Sequence, residues 1–334
     1  MKFLFLTISI FICLSCFSQD RHRIVFYNVE NLFDTHDDID KKDEEFTPGG
    51  YKHWNNARYN HKLLSLARAL KIAGGSTYPL LIGMAEVENR GVLMDLLTKT
   101  SISSVNYAIL HKESPDLRGI DVALLYDRTY FTIIDSAFYN VYLSKKQTTR
   151  DILYAKGILF NIDTINIFVC HFPSRRGGSK TSNWKREKVA SIIRKHVDSL
   201  RMNNKNAKIL IMGDFNCSIA SEELKPLNIL HFAGKKYIKG ELYDTAEWLL
   251  NKPYGSYKYK DYWEVIDHIV VSSSLLNKSD SYYLSPKMGI CMDRTLLSSD
   301  NSHFGKYPTP TYRGRLYKGG PSDHLPVYLD VIIK

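Results

Sequence analysis

The strongest constraint on the fold of this chain is a repeated junction, a short apolar run beside a carboxylate, an amide or an imidazole. Residues 24–27 lead to Asn28 and Glu30, 80–85 to Glu86 and Glu88, 164–170 to His171, and 207–212 to Asp214 and Asn216. Asp267-His268 opens the run 269–271, and Ser322-Asp323-His324-Leu325-Pro326 opens a last apolar run at 327–333. Each run reads as a buried strand. A polar group where such a strand emerges is costly unless it is paired or put to use. Taken together, these groups read as one site assembled from many strand ends.

With 334 residues, 44% hydrophobic and 24% charged, the chain can bury a large core. Its net charge of +10 and pI of about 9.1 favour a polyanionic partner such as nucleic acid or anionic lipid heads, and fit simple solvation equally. Lys2, an apolar run at 3–14 and Ser15-Cys16-Phe17-Ser18-Gln19 have the pattern of a secretory signal peptide. Cleavage is expected after Ser18, leaving residues 19–334 as one secreted or periplasmic domain, a monomer. Cys16 raises lipoprotein anchoring as an alternative, although Cys13-Leu14-Ser15 matches a lipobox poorly. The apolar run is too short to span a bilayer, and no other stretch is apolar enough for a transmembrane segment in the mature chain. Cys170, Cys217 and Cys291 are too few for a disulfide framework and read as small buried hydrophobes. A Cys170–Cys217 bridge stays open if their strands are neighbours.

No internal repeat or long linker interrupts the pattern. Residues 23–30 alternate as a half-buried strand, with Ile24, Phe26 and Asn28 opposite Val25, Tyr27 and Val29. The acid-rich stretch 35–50 reads as a solvated loop. A helix is expected over 55–73, with Leu63, Leu64, Ala67 and Leu70 on one face and Gly74-Gly75 as its stop. A second covers 184–200, with Val189, Ile193 and Val197 at helical spacing and His196 as a core or border residue. Further strands are expected at 119–126, 157–162 and 265–272. The stretch 273–320 reads as long loops over a rigid scaffold, with 285–320 expected to shape specificity. Several strands lie between helices, so sheets packed on one another with helices outside are expected.

The chemistry concentrates at the strand ends. Asp214 and Asn216 are two apart and share one face of an extended chain. There they could activate water and donate to a phosphate oxygen, or form an Asx turn that caps the strand. Asn28 and Glu30 repeat that spacing, as do Glu86 and Glu88. His171 precedes a Gly-rich loop carrying Arg175 and Arg176, a combination suited to an anionic oxygen. Arg118 and Arg150 border apolar strands. One Asp-His pair could serve the other, because an Asp hydrogen-bonded to a distant His fixes its tautomer and raises its pKa. Tyr254-Gly255-Ser256-Tyr257-Lys258-Tyr259-Lys260 interleaves aromatics with cations, as a base-stacking surface or an alternating edge strand would.

In this order, Asn-x-Glu, Glu-Val-Glu-Asn, His-Phe-Pro-Ser, Gly-Asp-Phe-Asn, Ile-Asp-His-Ile and Ser-Asp-His-Leu-Pro resemble the endonuclease/exonuclease/phosphatase superfamily, of DNase I-like phosphodiesterases. The resemblance spans about residues 22–333. It implies an α/β fold, a four-layer α/β/β/α sandwich of two mostly antiparallel sheets flanked by helices, and hydrolysis of phosphoester bonds with Mg²⁺, or Mn²⁺ as an alternative. It also implies roles: Glu86 as principal metal ligand with Asn28, Glu30 and Asp323 nearby, Asp214 orienting or deprotonating water, and Asn216 and His171 donating to the phosphate. His324 is implied as the acid/base or phosphate-stabilising histidine, held by Asp267, and Arg150 and, less directly, Arg118 as phosphate-binding. Glu88 is expected to face away and His268 to be a variable neighbour. The expected substrate is nucleic acid, with phospholipid, inositol phosphate or another small phosphoester as the alternative and a non-catalytic binding module last.

Overall fold

The computed structural model describes residues 21–334 apart from 145–146, 176–177, 232–235 and 300–302. The expected leader at 1–18, with Cys16, and the expected phosphate ligand Arg176 lie outside these residues. One sheet holds β1 (Arg21–Leu32), β2 (Leu81–Val87), β3 (Tyr107–His111), β4 (Asp121–Asp127), β14 (Tyr282–Leu284), β15 (Gly289–Ile290) and β20 (Val327–Ile333). Its order is β14-β20-β1-β2-β4-β3, with β15 also on β20. The second sheet holds β5 (Phe131–Ser144), β6 (Gln147–Leu159), β7 (Asp163–His171), β8 (Ile209–Asp214), β9 (Ile229–Leu230), β10 (Leu242–Asp244) and β13 (Asp267–Ser272), in the order β5-β6-β7-β8-β13-β10-β9. Among the described residues three hairpins complete the strands: β11 (Tyr257–Tyr259) with β12 (Tyr262–Glu264), β16 (Leu297–Ser299) with β17 (Lys306–Pro308), and β18 (Tyr312–Arg313) with β19 (Leu316–Tyr317). Pairing is antiparallel except for β1–β2, β7–β8 and β9–β10.

The layers follow from strand alternation. Ile24 and Phe26 join Leu210, Met212 and Ile269 in a core between the two sheets. Val25 and Tyr27, one residue out of phase, join Leu63, Leu66 and Leu70 of α1 (Asn56–Gly74) and Leu93 and Leu96 of α2 (Arg90–Thr98) on the outer face. Phe168 and Ile211 of the second sheet pack outward against Val189, Ile193 and Val197 of α3 (Ser179–Asn203). Two large sheets packed face to face, with helices outside, are the expected sandwich. Both faces of β1 are covered, so the half-buried reading of 23–30 is corrected.

Asn55 caps α1 by accepting from the Arg58 amide at 3.1 Å, and Gly75 ends it with φ of 81°. Leu64 is 57% exposed and leaves the apolar face assigned to it, while Lys62 is buried in its place. His196 stacks on Tyr139, ring centroids 3.5 Å apart, at the border of the outer core. The acid-rich loop is only partly solvated, because Asp43 and Phe46 are buried. Among the described residues no helix is long and apolar enough to cross a membrane.

Candidate active site

Strand polarity gathers the junction residues. β1 and β2 run parallel and finish at the same edge; β20 runs antiparallel to β1 and therefore starts there. In the second sheet β7 and β8 finish together, and β13, antiparallel to β8, starts beside them. Register then places His171 opposite Asp214 and Asp214 opposite Asp267, a row across three neighbouring strands. Asn28, on the inner face of β1, reaches across the sandwich and donates to Asp214 Oδ2 at 3.1 Å.

The first sheet delivers its groups through irregular backbone. Pairing of β1 with β2 slips between Asn28 and Leu32, and Glu86 sits where the register of β2 with β4 slips. Glu30, Asn31 and Glu86 hold φ of 47°, 53° and 64°, a conformation that costs a residue with a side chain on the order of 1 kcal/mol or more. The bulge brings the Glu86 carboxylate to the Asn31 amide at 3.0 Å, to Arg118 at 3.9 Å and to His171 Nε2 at 4.0 Å.

His324 Nδ1 lies 2.8 Å from Asp267 Oδ2, and its Nε2 lies 3.9 Å from Asp214. Ser322 Oγ donates to the Asn28 carbonyl at 2.7 Å and accepts from the His324 amide at 3.0 Å, which fixes the turn. Burial opposes a charge on His324, but the carboxylates of Asp267 and Asp214 hold its pKa well above the usual histidine range. His171 goes the other way, since burial and the charges of Arg150, Arg118 and His324 keep it well below that range. The surroundings thus favour the charged form of one imidazole and the neutral form of the other. Burial and the nearby Asp267 push Asp214 up to about 7, although His324, the Asn216 amide and Asn28 all pull it down. Asp214 can therefore exchange a proton near neutrality.

The remaining expected residues divide. Asn216 donates from Nδ2 to the Phe172 carbonyl at 3.0 Å, and its amide donates to Asp214 Oδ1 at 2.8 Å, the Asx turn. Arg150 is buried and donates to that same carbonyl at 2.8 Å, with Asp116 at 3.5 Å. Arg118 donates to Asn31 Oδ1 at 2.8 Å. Arg175, expected at an anionic oxygen, forms a two-pronged pair with Glu264, one contact at 2.9 Å. Glu88 is turned from the site as expected but is buried, accepting from the Asp34 amide at 2.6 Å. The His268 ring is buried between Asp244 at 2.8 Å and the Cys217 carbonyl at 3.0 Å. Cys170, Cys217 and Cys291 are buried free thiols, so no Cys170–Cys217 bridge forms.

Two residues were not expected at the site. Lys62 of α1 donates to the carbonyls of Glu30 at 3.0 Å and Pro321 at 2.7 Å and to the Thr311 hydroxyl. Its signal is a lysine on an apolar helical face. Tyr257 pairs its backbone with His324 and sets its ring 4.9 Å from the imidazole. No spacing rule connects it to residue 324.

Among the described residues one group of ligand atoms lies close enough together to share a cation. Asp214, Asp267 and His324 each place a ligand atom within 4.8 Å of the others. The short His324–Asp267 contact and the Asn216 amide on Asp214 already engage that group. The acids expected at the metal, Glu86, Asp323 and Glu30, are instead linked by charge, Glu86 acting on Asp323 and Asp323 on Glu30. Burial raises Asp323; His324 and Lys62 lower it, while Glu86 pushes it higher. Burial and Asp323 push Glu30 to about 8, and its two oxygens accept from the Thr311 and Tyr312 amides at 2.7 and 3.3 Å. Neighbouring like charges of this kind would be offset by a hard divalent ion, and oxygen donors favour Mg²⁺ or Mn²⁺ over zinc.

Comparisons with known proteins agree with this architecture. No curated protein matches the chain in sequence. An endonuclease/exonuclease/phosphatase family protein from Bacteroides thetaiotaomicron superposes with a TM-score of 0.57 at 16% identity, over 95% of this chain and 99% of that one. A mannosyl-6-phosphatase from the same organism gives 0.53 at 15% identity, over 93% and 100%. The human Nocturnin catalytic domain with bound sulfate gives 0.55 at 15%, over 95% and 98%. The model of the endonuclease/exonuclease/phosphatase family matches residues 23–333. The chain therefore belongs to the endonuclease/exonuclease/phosphatase family, a superfamily of phosphoester hydrolases.

Proposed function

We propose that this protein is a metal-dependent phosphodiester hydrolase that acts on nucleic acid, exported from the cytoplasm by residues 1–18. The observation that carries the reading is the row His171, Asp214, Asp267, faced across the sandwich by Asn28 and Glu86 and closed by His324. Glu86 and Asp323, with Asn28 and Glu30 beside them, would hold a Mg²⁺ or Mn²⁺, which would supply positive charge against the phosphate. Asp214, with a pKa of about 7, takes the proton of the attacking water. His324, kept cationic by Asp267, and the neutral donor His171 stabilise the charge that builds on the phosphate oxygens. Asn28 and the Asn216 amide hold the Asp214 carboxylate in place at 3.1 and 2.8 Å. Arg150 and Arg118 raise the local positive potential, and the net charge of +10 steers a polyanion toward the cleft.

Supercoiled plasmid, single-stranded DNA and RNA are incubated with the folded protein and Mg²⁺. Cleavage is expected, and both chelation and Asp214→Asn should abolish it. A folded protein that cuts none of them sinks the nucleic-acid reading. Release of inorganic phosphate from sugar or inositol phosphates would instead support the small-phosphoester alternative.

A further inference from the structure

Beside Asp323 a cleft of about 340 Å³ opens between the β11–β12 hairpin and β17–β18. Tyr257, Lys258, Tyr307, Tyr312 and Arg313 line it, with Asp323 at the side of the candidate site. Two walls are fixed. Tyr257 is tied to His324 through backbone pairing and ring contact. Tyr312 donates its hydroxyl to the Lys52 carbonyl at 2.9 Å and its amide to Glu30 at 3.3 Å. Lys258 is anchored on the Phe304 carbonyl at 2.5 Å, and the Arg313 guanidinium stands 5.5 Å from the Tyr307 ring centre. Of the stretch 254–260 only Tyr257–Tyr259 is a strand, and as one half of a separate two-stranded hairpin it is an edge strand, as one of the two readings expected.

We propose that this cleft is a subsite for one unpaired nucleobase, the base of the nucleotide attached to the phosphate on the Asp323 side. The inference rests on the phosphoesterase reading above and adds to it a substrate class, unpaired strand or free nucleotide. Tyrosine faces take a flat ring by stacking, and neighbouring Lys and Arg take the phosphates that accompany it. The volume lies near the lower end for small-molecule sites, enough for one nucleotide and too little for a duplex. A base inside a duplex shows only its edges, because its faces are covered by neighbours. Tyr259 and Tyr262 of the same hairpin are 56% and 74% exposed, and Phe304, whose carbonyl holds Lys258, is 95% exposed with its amide donating to Asp261 at 3.2 Å.

The test is calorimetric titration of the full chain in EDTA with AMP, ribose 5-phosphate and inorganic phosphate, followed by an oligothymidylate and a hairpin duplex of equal length. AMP should bind on the order of tenfold more tightly than ribose 5-phosphate. Tyr307→Ala should erase that difference, Tyr307→Phe should keep it, and Arg313→Ala should weaken both ligands together. The single strand should outbind the duplex. Equal affinity for AMP and ribose 5-phosphate, an unchanged preference in Tyr307→Ala, or tighter binding of the duplex would each overturn the subsite. So would binding to anionic phospholipid vesicles that is lost in Tyr262→Ser while AMP binding is weak. Hydrolysis of bis(4-nitrophenyl) phosphate with Mg²⁺ is measured in parallel. Turnover without base preference rejects the subsite alone, whereas a folded protein inert toward every phosphoester rejects the parent reading.

Discussion

The two sheets bring polar groups to the same edge by different means. In the second, His171, Asp214 and Asp267 stand in ordinary register, one per strand, with no bulge between them. In the first, Glu86 and Glu30 arrive on slipped pairings with left-handed backbone, and Lys62 ties Glu30 to Pro321. A row of regular strands sets spacing through hydrogen bonds alone and is rigid. A bulge can aim a carboxylate out of the sheet, but it needs surrounding contacts to hold it. The proton-handling half of the proposed site is built on the rigid kind, and the cation-holding half on the adjustable kind.

The sharpest way to break this division is to compare one residue from each half. Asp214→Asn should lower kcat by roughly 10³-fold at every Mg²⁺ concentration, because the lost group is a base. Glu86→Gln should also lose activity, but added Mg²⁺ should recover part of it. A metal titration of both variants would show whether the halves are separable; identical curves would contradict the division.

Asp267→Asn tests the row through pH. In the wild type, activity should rise as Asp214 loses its proton near pH 7 and fall when His324 loses its own at higher pH. Removing the Asp267 charge lowers both pKa values, so both limbs of the profile should shift toward acid, with a loss of about 10²-fold at the optimum. Limbs that stay in place would detach Asp267 from both partners.

Gly213→Ala probes the rigidity of the row without touching its chemistry. A Cβ there would sit 2.2 Å from the Cys170 carbonyl oxygen on the adjacent strand. A loss of about 1–3 kcal/mol in unfolding free energy is expected. An unchanged melting temperature would show that β7 and β8 can yield.

The smallest effect lies just outside the first sheet's half. Burial, with Asp34, Asp43 and Asp38 nearby, pushes Glu88 to about 8 from an unfolded value near 4.5. A carboxyl whose folded pKa is raised contributes stability that is complete below its unfolded pKa and is lost as pH rises through the folded one. Melting temperature should therefore fall between about pH 4.5 and 8. Glu88→Gln should flatten part of that fall, raising the melting temperature at pH 8 by roughly 2–4 °C without loss of activity.

Much of this was legible in sequence because strand ends announce themselves. Ile209 to Met212 is apolar, so the side chains of Asp214 and Asn216 that follow must be paired or used, whatever the fold. Period-two and period-3.6 patterns likewise exposed the strands and the two long helices. Other features had no local signature. Nothing at 24–27 says that both faces of β1 are covered, since that depends on which layer lies above it. Arg175 looks like a phosphate ligand until Glu264, 89 residues away, is found beside it. Glu86 and Glu88 are chemically alike, and only the bulge turns one inward. Lys62 reads as a misplaced surface lysine until the loop carrying Thr311 and Pro321 folds over it.

Residue order alone determined the layers, the family and the inventory of carboxylates, amides and imidazoles at the strand ends, because burial imposes periodicity and buried polar groups stand out against it. Tertiary structure alone decided which of those groups meet. Strand polarity and register chose His171, Asp214 and Asp267 as one row. Backbone slips, invisible to any two-residue period, aimed Glu86. The stretch 254–260 became the wall of a cleft only when its backbone paired with His324, far along the chain. Contacts between distant segments carry no signal in the spacing of either.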